Sequence, residues 1–293
     1  MKTKLLLLLL LTITTVCTNA QSEKNTSVPR PKLVVGIIVD QMRWDFLYRY
    51  YDRYTANGFK RLLNEGFSCD NVNINYIPTV TAVGHTAVYS GSVPAINGIV
   101  GNNFIIQATG QSVYCTEDNT VKTVGSTSKA GLMSPRNLLV SNLADELKLA
   151  TNFRAKVIGI ALKDRGGILP AGHSANAAYW LDDTNGSWIT SSYYMNELPS
   201  WVNQFNAARH VEKYLKQDWH PLFPIETYVQ SFPDDNPYER KLQGTKSPTL
   251  PVKTSELFGK DFSIIRYTPY GNSLTLDMAR QAISNEALGQ DAI

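Results

Sequence analysis

The sequence predicts an α/β fold on a parallel sheet, and three observations carry that expectation. LVVGIIVD, 33–40, and AKVIGIALK, 155–163, are short apolar runs that end in charge, the pattern of strands buried on both faces. NLLVSNLADELKLAT has clean helical spacing, and strands alternating with helices are the signature of a parallel sheet with crossover helices. With 293 residues, 43% of them hydrophobic and 18% charged, the chain has apolar material for one sizeable core.

From the amino terminus, Lys2 and Lys4 precede the run LLLLLLLTITTV, and Thr18, Asn19 and Ala20 are small residues before Gln21. Residues 1–20 therefore read as a secretory signal peptide cleaved after Ala20, which sends the chain to the periplasm or beyond. The run is shorter than the roughly 20 apolar residues of a membrane-anchoring helix. Lipidation at Cys17 is the alternative, and the bulk of Val16 opposes it. No later segment is long and apolar enough to span a bilayer. Losing the two lysines lowers the formal charge from +3 to +1, which leaves no basic field for nucleic acid. Cys69 and Cys115 remain, and in an oxidising compartment they either pair or stay as two separate thiols.

Residues 21–32 are polar, contain two prolines and read as a linker. The strand 33–40 follows, with Asp40 at its carboxyl end, the edge at which open α/β sheets bind ligands. MRWDFLYRYY and GFKRLLNEG have helical spacing, and Gly66 stops the second. A short strand is expected in FSCDNVNIN, then a helix from Thr81 that ends at Gly91. NAAYWLDDTNGSWITSSYY predicts two strands around Asn185-Gly186, a hairpin signal, and opens a cap inserted over about 174–270. SLTLDMARQAISNEALGQDAI closes the chain as a helix.

Several residues along this path can carry chemistry. Asp40 serves either as a helix N-cap or as a cation ligand. In PTVTAVGH, 78–85, Thr79 and Thr81 are both candidate nucleophiles, and Thr81 is also a candidate helix cap. A threonine hydroxyl is a poor nucleophile at neutral pH until a base or a metal activates it. Asn102 or Asn103 can donate an amide hydrogen bond to an anionic oxygen. Lys163 and Arg165 alternate at the end of a strand pattern, which turns both the same way, either into water or onto a phosphoryl group.

VVGIIVDQMRWD, NYIPTVTAVGHTAVYSGSVPAINGIVGNN and ALKDRGGILPAGH together resemble the amino-terminal two-thirds of the alkaline phosphatase superfamily. Within it they are most similar to the bacterial alkaline phosphatases with a threonine nucleophile, cousins of the type I phosphodiesterase/nucleotide pyrophosphatases. The resemblance implies a three-layer α/β/α fold with a mostly parallel sheet and the inserted cap. In that family the second threonine of PT-x-T is the nucleophile, and a phosphate-binding asparagine follows 21 positions later. From Thr81 that count reaches Asn102, and from Thr79 it reaches Val100, so Thr81 is the matching hydroxyl.

The resemblance further implies that Asp40 and Thr81 bind one zinc ion, and that Lys163 and Arg165 hold non-bridging oxygens of a small phosphate monoester. Two cations suit a monoester, which carries one more negative charge than a diester. A phosphodiesterase on the same scaffold and a non-catalytic phosphate-binding remnant stay open as alternatives. A sulfatase would show Cys or Ser followed closely by Pro and Arg, which this motif lacks.

The pattern breaks at the metals. Two zinc ions need about six protein ligands, and the histidines are His85, His173, His210 and His220. The D-x-x-x-H segment, D-H pair and late histidine of the family find no match here. The expectation is an incomplete catalytic domain, its C-terminal part missing and inactive alone, with His85 packed beside the site as support.

Overall fold

A computed structural model describes residues 30–257, 259 and 261–290. The expected signal peptide and most of the linker lie outside the described residues. The chain divides into two units, Met1–Val34 and Val35–Ile293. In the first, the described residues 30–34 form no regular element.

The second unit begins with a departure from expectation. Residues 35–39 have no sheet partner, and Val35, Ile37 and Val39 are exposed, so the run expected to be a buried strand is bare here. Asp40 consequently sits in a turn. The aromatic segment after it forms one short helix, α1 (Phe46–Arg49), and the next forms α2 (Phe59–Glu65), whose end is closed by the Gly66 N–H on the Leu62 carbonyl. FSCDNVNIN is exposed loop, not strand.

Helix α3 (Thr81–Ser90) opens after an extended Val80 and ends at Gly91, whose φ of 63° is the left-handed conformation that glycine adopts without strain. A short helix α4 (Pro94–Asn97) then leads into a hairpin of β1 (Asn103–Ile106) and β2 (Gln111–Tyr114), which carried no clear sequence signal. Strand β3 (Thr123–Val124) precedes α5 (Leu143–Ala150), the clean helical period of the sequence. Its start is fixed by Asn142, whose side chain accepts from the Ala144 and Asp145 N–H groups while Asp145 reaches back to the Asn142 N–H.

Strand β4 (Ile158–Ile160) is the expected second strand, shorter than its apolar run, and α6 (Asp164–Ala171) follows directly. The hairpin around Asn185-Gly186 appears as β5 (Ala177–Asp182) and β6 (Ser187–Ser191). It stands in the same sheet as β4, in the order β3-β6-β5-β4. The sheet is mixed: β4 and β5 pair parallel, and the other two pairings are antiparallel. Helices α7 (Ser200–Ala207), α8 (His210–Leu215), α9 (Thr254–Leu257) and α10 (Tyr270–Asn285) complete the unit.

Alternation along β5 explains the layers. Ala177, Tyr179 and Leu181 face one way into a core with Val202 and Phe205 of α7, Leu215 of α8, and Leu274 and Met278 of α10. Ala178 and Trp180 face the other way, against Ile168 and Ala171 of α6. Helices thus cover both faces of the sheet. Gly159 in β4 lets α6 lie this close, because a Cβ there would stand 2.2 Å from the Gly167 carbonyl oxygen. Cys69 is exposed and Cys115 buried, both free, so the possible disulfide is not formed. Among the described residues no helix is long and apolar enough to cross a membrane.

Candidate functional site

The site gathers where the first turns of α3 and α6 meet the turn at Asp40. Thr81 is the first residue of α3, and Val80 precedes it as N-cap without a side-chain bond. The Thr81 hydroxyl therefore does not cap its helix. It donates instead to Asp40 Oδ2 at 3.0 Å. Asp40 likewise caps nothing; its carboxylate also lies 3.8 Å from Lys163 Nζ.

Asn102 is oriented by backbone on both of its polar ends. Its side-chain Oδ1 accepts from the Ala82 N–H in the first turn of α3 at 3.0 Å, and its carbonyl accepts from the Cys115 N–H at 2.9 Å. With the amide oxygen so engaged, the amide NH2 is the end left to donate. Asn103 starts β1 and is exposed.

The strand-alternation argument for Lys163 and Arg165 fails, because the helix begins between them. Lys163 is the N-cap of α6 and Asp164 its first residue, which places Arg165 one step into the first turn. Both cations still come to one place, since α6 packs against α3: the ideal Cβ position of Gly166 is 3.9 Å from His85 Nε2. Burial lowers the Lys163 pKa below the ordinary lysine value, and the Arg165 charge lowers it further. Arg165 Nη1 donates to the Tyr114 hydroxyl at 2.7 Å, and its buried Nε has no partner among the described residues.

His85 is buried one helical turn after Thr81, as expected of a packing residue. Burial lowers its pKa, Asp40 and a hydrogen bond with the Thr81 backbone oppose this, and Arg165 and Lys163 add to the lowering. His173 is engaged elsewhere, by Asp145 Oδ2 at 3.2 Å and the Leu138 carbonyl at 2.9 Å. His210 stacks on Phe205 with ring centroids 4.2 Å apart.

A structural zinc ion takes four donors. Asp40 Oδ2 and Thr81 Oγ1 offer two adjacent oxygens suited to one edge of a cation site. Among the described residues no three His, Cys, Asp or Glu side chains converge to complete it. The anion side is better furnished: Asn102 is fixed to the first turn of α3, Lys163 lies 3.8 Å from Asp40 Oδ2, and Arg165, on the neighbouring helix start, is held by Tyr114. Tyr114, which accepts from Arg165, and Asp164 and Thr116 behind it were not singled out from the sequence. Only Asp164, inside K-D-R, stood near a recognisable motif.

Known proteins share this chain's sequence and fold. The family described as Type I phosphodiesterase / nucleotide pyrophosphatase matches residues 34–281. A protein of Myroides odoratus named "Calcium-transporting ATPase" is 62% identical over 90% of this chain and 48% of its own length. Alkaline phosphatase PhoV of Synechococcus elongatus is 54% identical over 99% of this chain and 54% of its own. The crystal structure of wild type alkaline phosphatase PafA is similar with a TM-score of 0.88 at 51% identity, covering 90% of this chain and 51% of that one. The chain thus spans about half the length of the curated relatives it matches.

Proposed function

The chain belongs to the type I phosphodiesterase/nucleotide pyrophosphatase family, and from that premise we propose that it carries the nucleophile and phosphate clamp of an exported, zinc-dependent phosphomonoesterase. One observation carries the reading: the Thr81 hydroxyl is bonded to Asp40 Oδ2, with Lys163 Nζ 3.8 Å from the same oxygen. A hydroxyl aimed at a base, beside fixed cations, is what phosphoryl transfer to protein requires.

In this reading Thr81 Oγ1, its proton released to solvent, attacks phosphorus. The bond from phosphorus to the leaving oxygen breaks, that oxygen takes a proton from solvent, and the phosphoryl group rests on Thr81. Water then attacks phosphorus, frees phosphate and restores the hydroxyl. Asn102, Lys163 and Arg165 hold the non-bridging oxygens throughout. A zinc ion would be held by Asp40 and Thr81 with donors beyond these two, and would supply the Lewis acidity that makes such a hydroxyl reactive at neutral pH.

Relatives named alkaline phosphatase at 54% and 51% identity support the reading. So does the description of a second PafA structure as altered at a threonine, an asparagine, a lysine and an arginine, the order of Thr81, Asn102, Lys163 and Arg165. The name of the Myroides relative adds ATP to the substrates worth testing. The lysine-flanked apolar leader supports export.

The test is turnover of an aryl phosphate monoester, the matching diester and ATP by a form extended to the full length of the relatives, with zinc supplied, followed by peptide mapping. The expected result is monoester preference and a phosphoryl group on the Thr81 peptide. Faster turnover of the diester overturns the monoesterase assignment.

A further inference from the structure

The surroundings of Arg165 deepen the phosphatase reading, and the role they suggest for Tyr114 rests on that reading. The Tyr114 hydroxyl has one proton, which it gives to Asp164 Oδ1 at 3.0 Å, and its lone pair accepts from Arg165 Nη1 at 2.7 Å. The other carboxylate oxygen of Asp164 accepts from the Thr116 hydroxyl. Asp164, next to Arg165 in the chain, is thus occupied by two hydroxyls. A phenol stands between the carboxylate and the guanidinium.

That interposition has an electrostatic consequence. A direct ion pair with Asp164 would spend on the protein the positive charge that a phosphoryl dianion needs. Relayed through a phenol, the carboxylate still orients the arginine while its charge stays one group away. The Tyr114 ring adds a second constraint, with the guanidinium carbon 5.9 Å from its centroid. Burial, together with Asp164, raises the phenol pKa, so the hydroxyl keeps its proton on the alkaline side. The buried, unpartnered Arg165 Nε is then a donor held ready for an acceptor.

We propose that Tyr114 is a positioning residue for the clamp arginine, anchored through Asp164 by Thr116, and that this relay sets how tightly Arg165 grips a phosphoryl dianion. Tyr114 lies on β2 and Thr116 just beyond it, so the β1–β2 hairpin acquires a role in specificity.

The experiment is a double-mutant cycle read by calorimetric titration of inorganic phosphate into the full chain with zinc supplied. Tyr114→Phe keeps the ring and removes the relay, and it should weaken phosphate binding about 10-fold. In the Arg165→Ala background the same change should alter binding by less than about 2-fold, because the group it positions is gone. Thr116→Val, which leaves the phenol in place, should cost about 3-fold with Arg165 present and nothing measurable without it. In turnover assays of a form extended to the relatives' full length, the Tyr114→Phe loss should fall on monoester kcat/KM and leave diester kcat/KM within about 2-fold.

Equal losses in both arginine backgrounds would assign Tyr114 a merely structural role and overturn the proposal. So would unchanged phosphate affinity in Tyr114→Phe. If the unsubstituted chain binds no phosphate, the phosphate clamp itself fails first and the relay falls with it.

Discussion

The two sides of the candidate site are built differently. On the clamp side, Lys163 and Arg165 stand at the start of α6, whose Ile168, Leu169 and Ala171 are buried, and Tyr114 and Thr116 tie the turn through Asp164. On the other side, Asp40 follows an extended run with no sheet partner and is held to the site by Thr81 and Lys163. Packing fixes the groups proposed to bind phosphate, whereas a hydrogen bond and a loose ion pair fix the group that would bind a cation. Donors that stay in place while charge develops stabilise a transition state most, so this molecule has preorganised its anion side.

The comparison is broken most directly at Thr81. In Thr81→Ala the fixed clamp remains without a hydroxyl between the two sides. In a form extended to the relatives' full length, turnover of an aryl phosphate should fall on the order of 10⁴-fold or more, the scale of losing a nucleophile, and the phosphorylated peptide should vanish. Retained turnover would show that neither side depends on this threonine. The next largest effect belongs to Lys163, which touches both sides. Lys163→Ala should cost roughly 10²–10³-fold in monoester kcat/KM, as expected for one fixed donor, and should cost the diester less. Equal losses on both substrates would remove the charge argument for monoester preference.

How far the sequence revealed these sides differs for the same physical reason. Thr81 and Asn102 were chosen through the family resemblance and its 21-residue count, since the residues alone left Thr79 and Asn103 open; the helix that opens at Thr81 and stops at Gly91 appears as expected. Lys163 and Arg165 were found through the wrong local geometry. LKDRGG reads as a strand end, but the glycines let helix start there: Gly167 lies against Gly159, and a Cβ on Gly166 would stand 3.1 Å from that of Ala161. Tyr114 had no local signal, since its role depends on a hairpin meeting a helix 50 residues later. The run 33–40 has a buried-strand pattern and is exposed. An apolar pattern states what a segment would gain by burial; it does not supply the neighbouring strand.

Substitution at Gly159 sharpens the contrast at a smaller scale, because it strains the packed side alone. In Gly159→Ala the new Cβ meets the Gly167 carbonyl oxygen and lies 2.8 Å from the Ala171 Cβ, so α6 must lift from β4. Denaturant unfolding should register a loss of roughly 1–3 kcal/mol, the usual cost of overpacking. Phosphate affinity should fall with it. A neutral outcome would mean that α6 is not pressed on the sheet in solution.

The smallest expected effect lies in the bare run before Asp40. Ile37 is 72% exposed, so Ile37→Ser removes little buried apolar area. Stability should change by no more than about 0.5 kcal/mol, as for surface positions generally. Amide exchange should agree: 35–39 have no sheet partner and should exchange fast, while the Ala161 N–H, bonded to the Tyr179 carbonyl at 3.2 Å, should be protected. A loss above about 2 kcal/mol is what deleting a fully buried side chain costs. That result, with slow exchange across 35–39, would mean the run is covered in solution, and Asp40 would then be held as firmly as the clamp it faces.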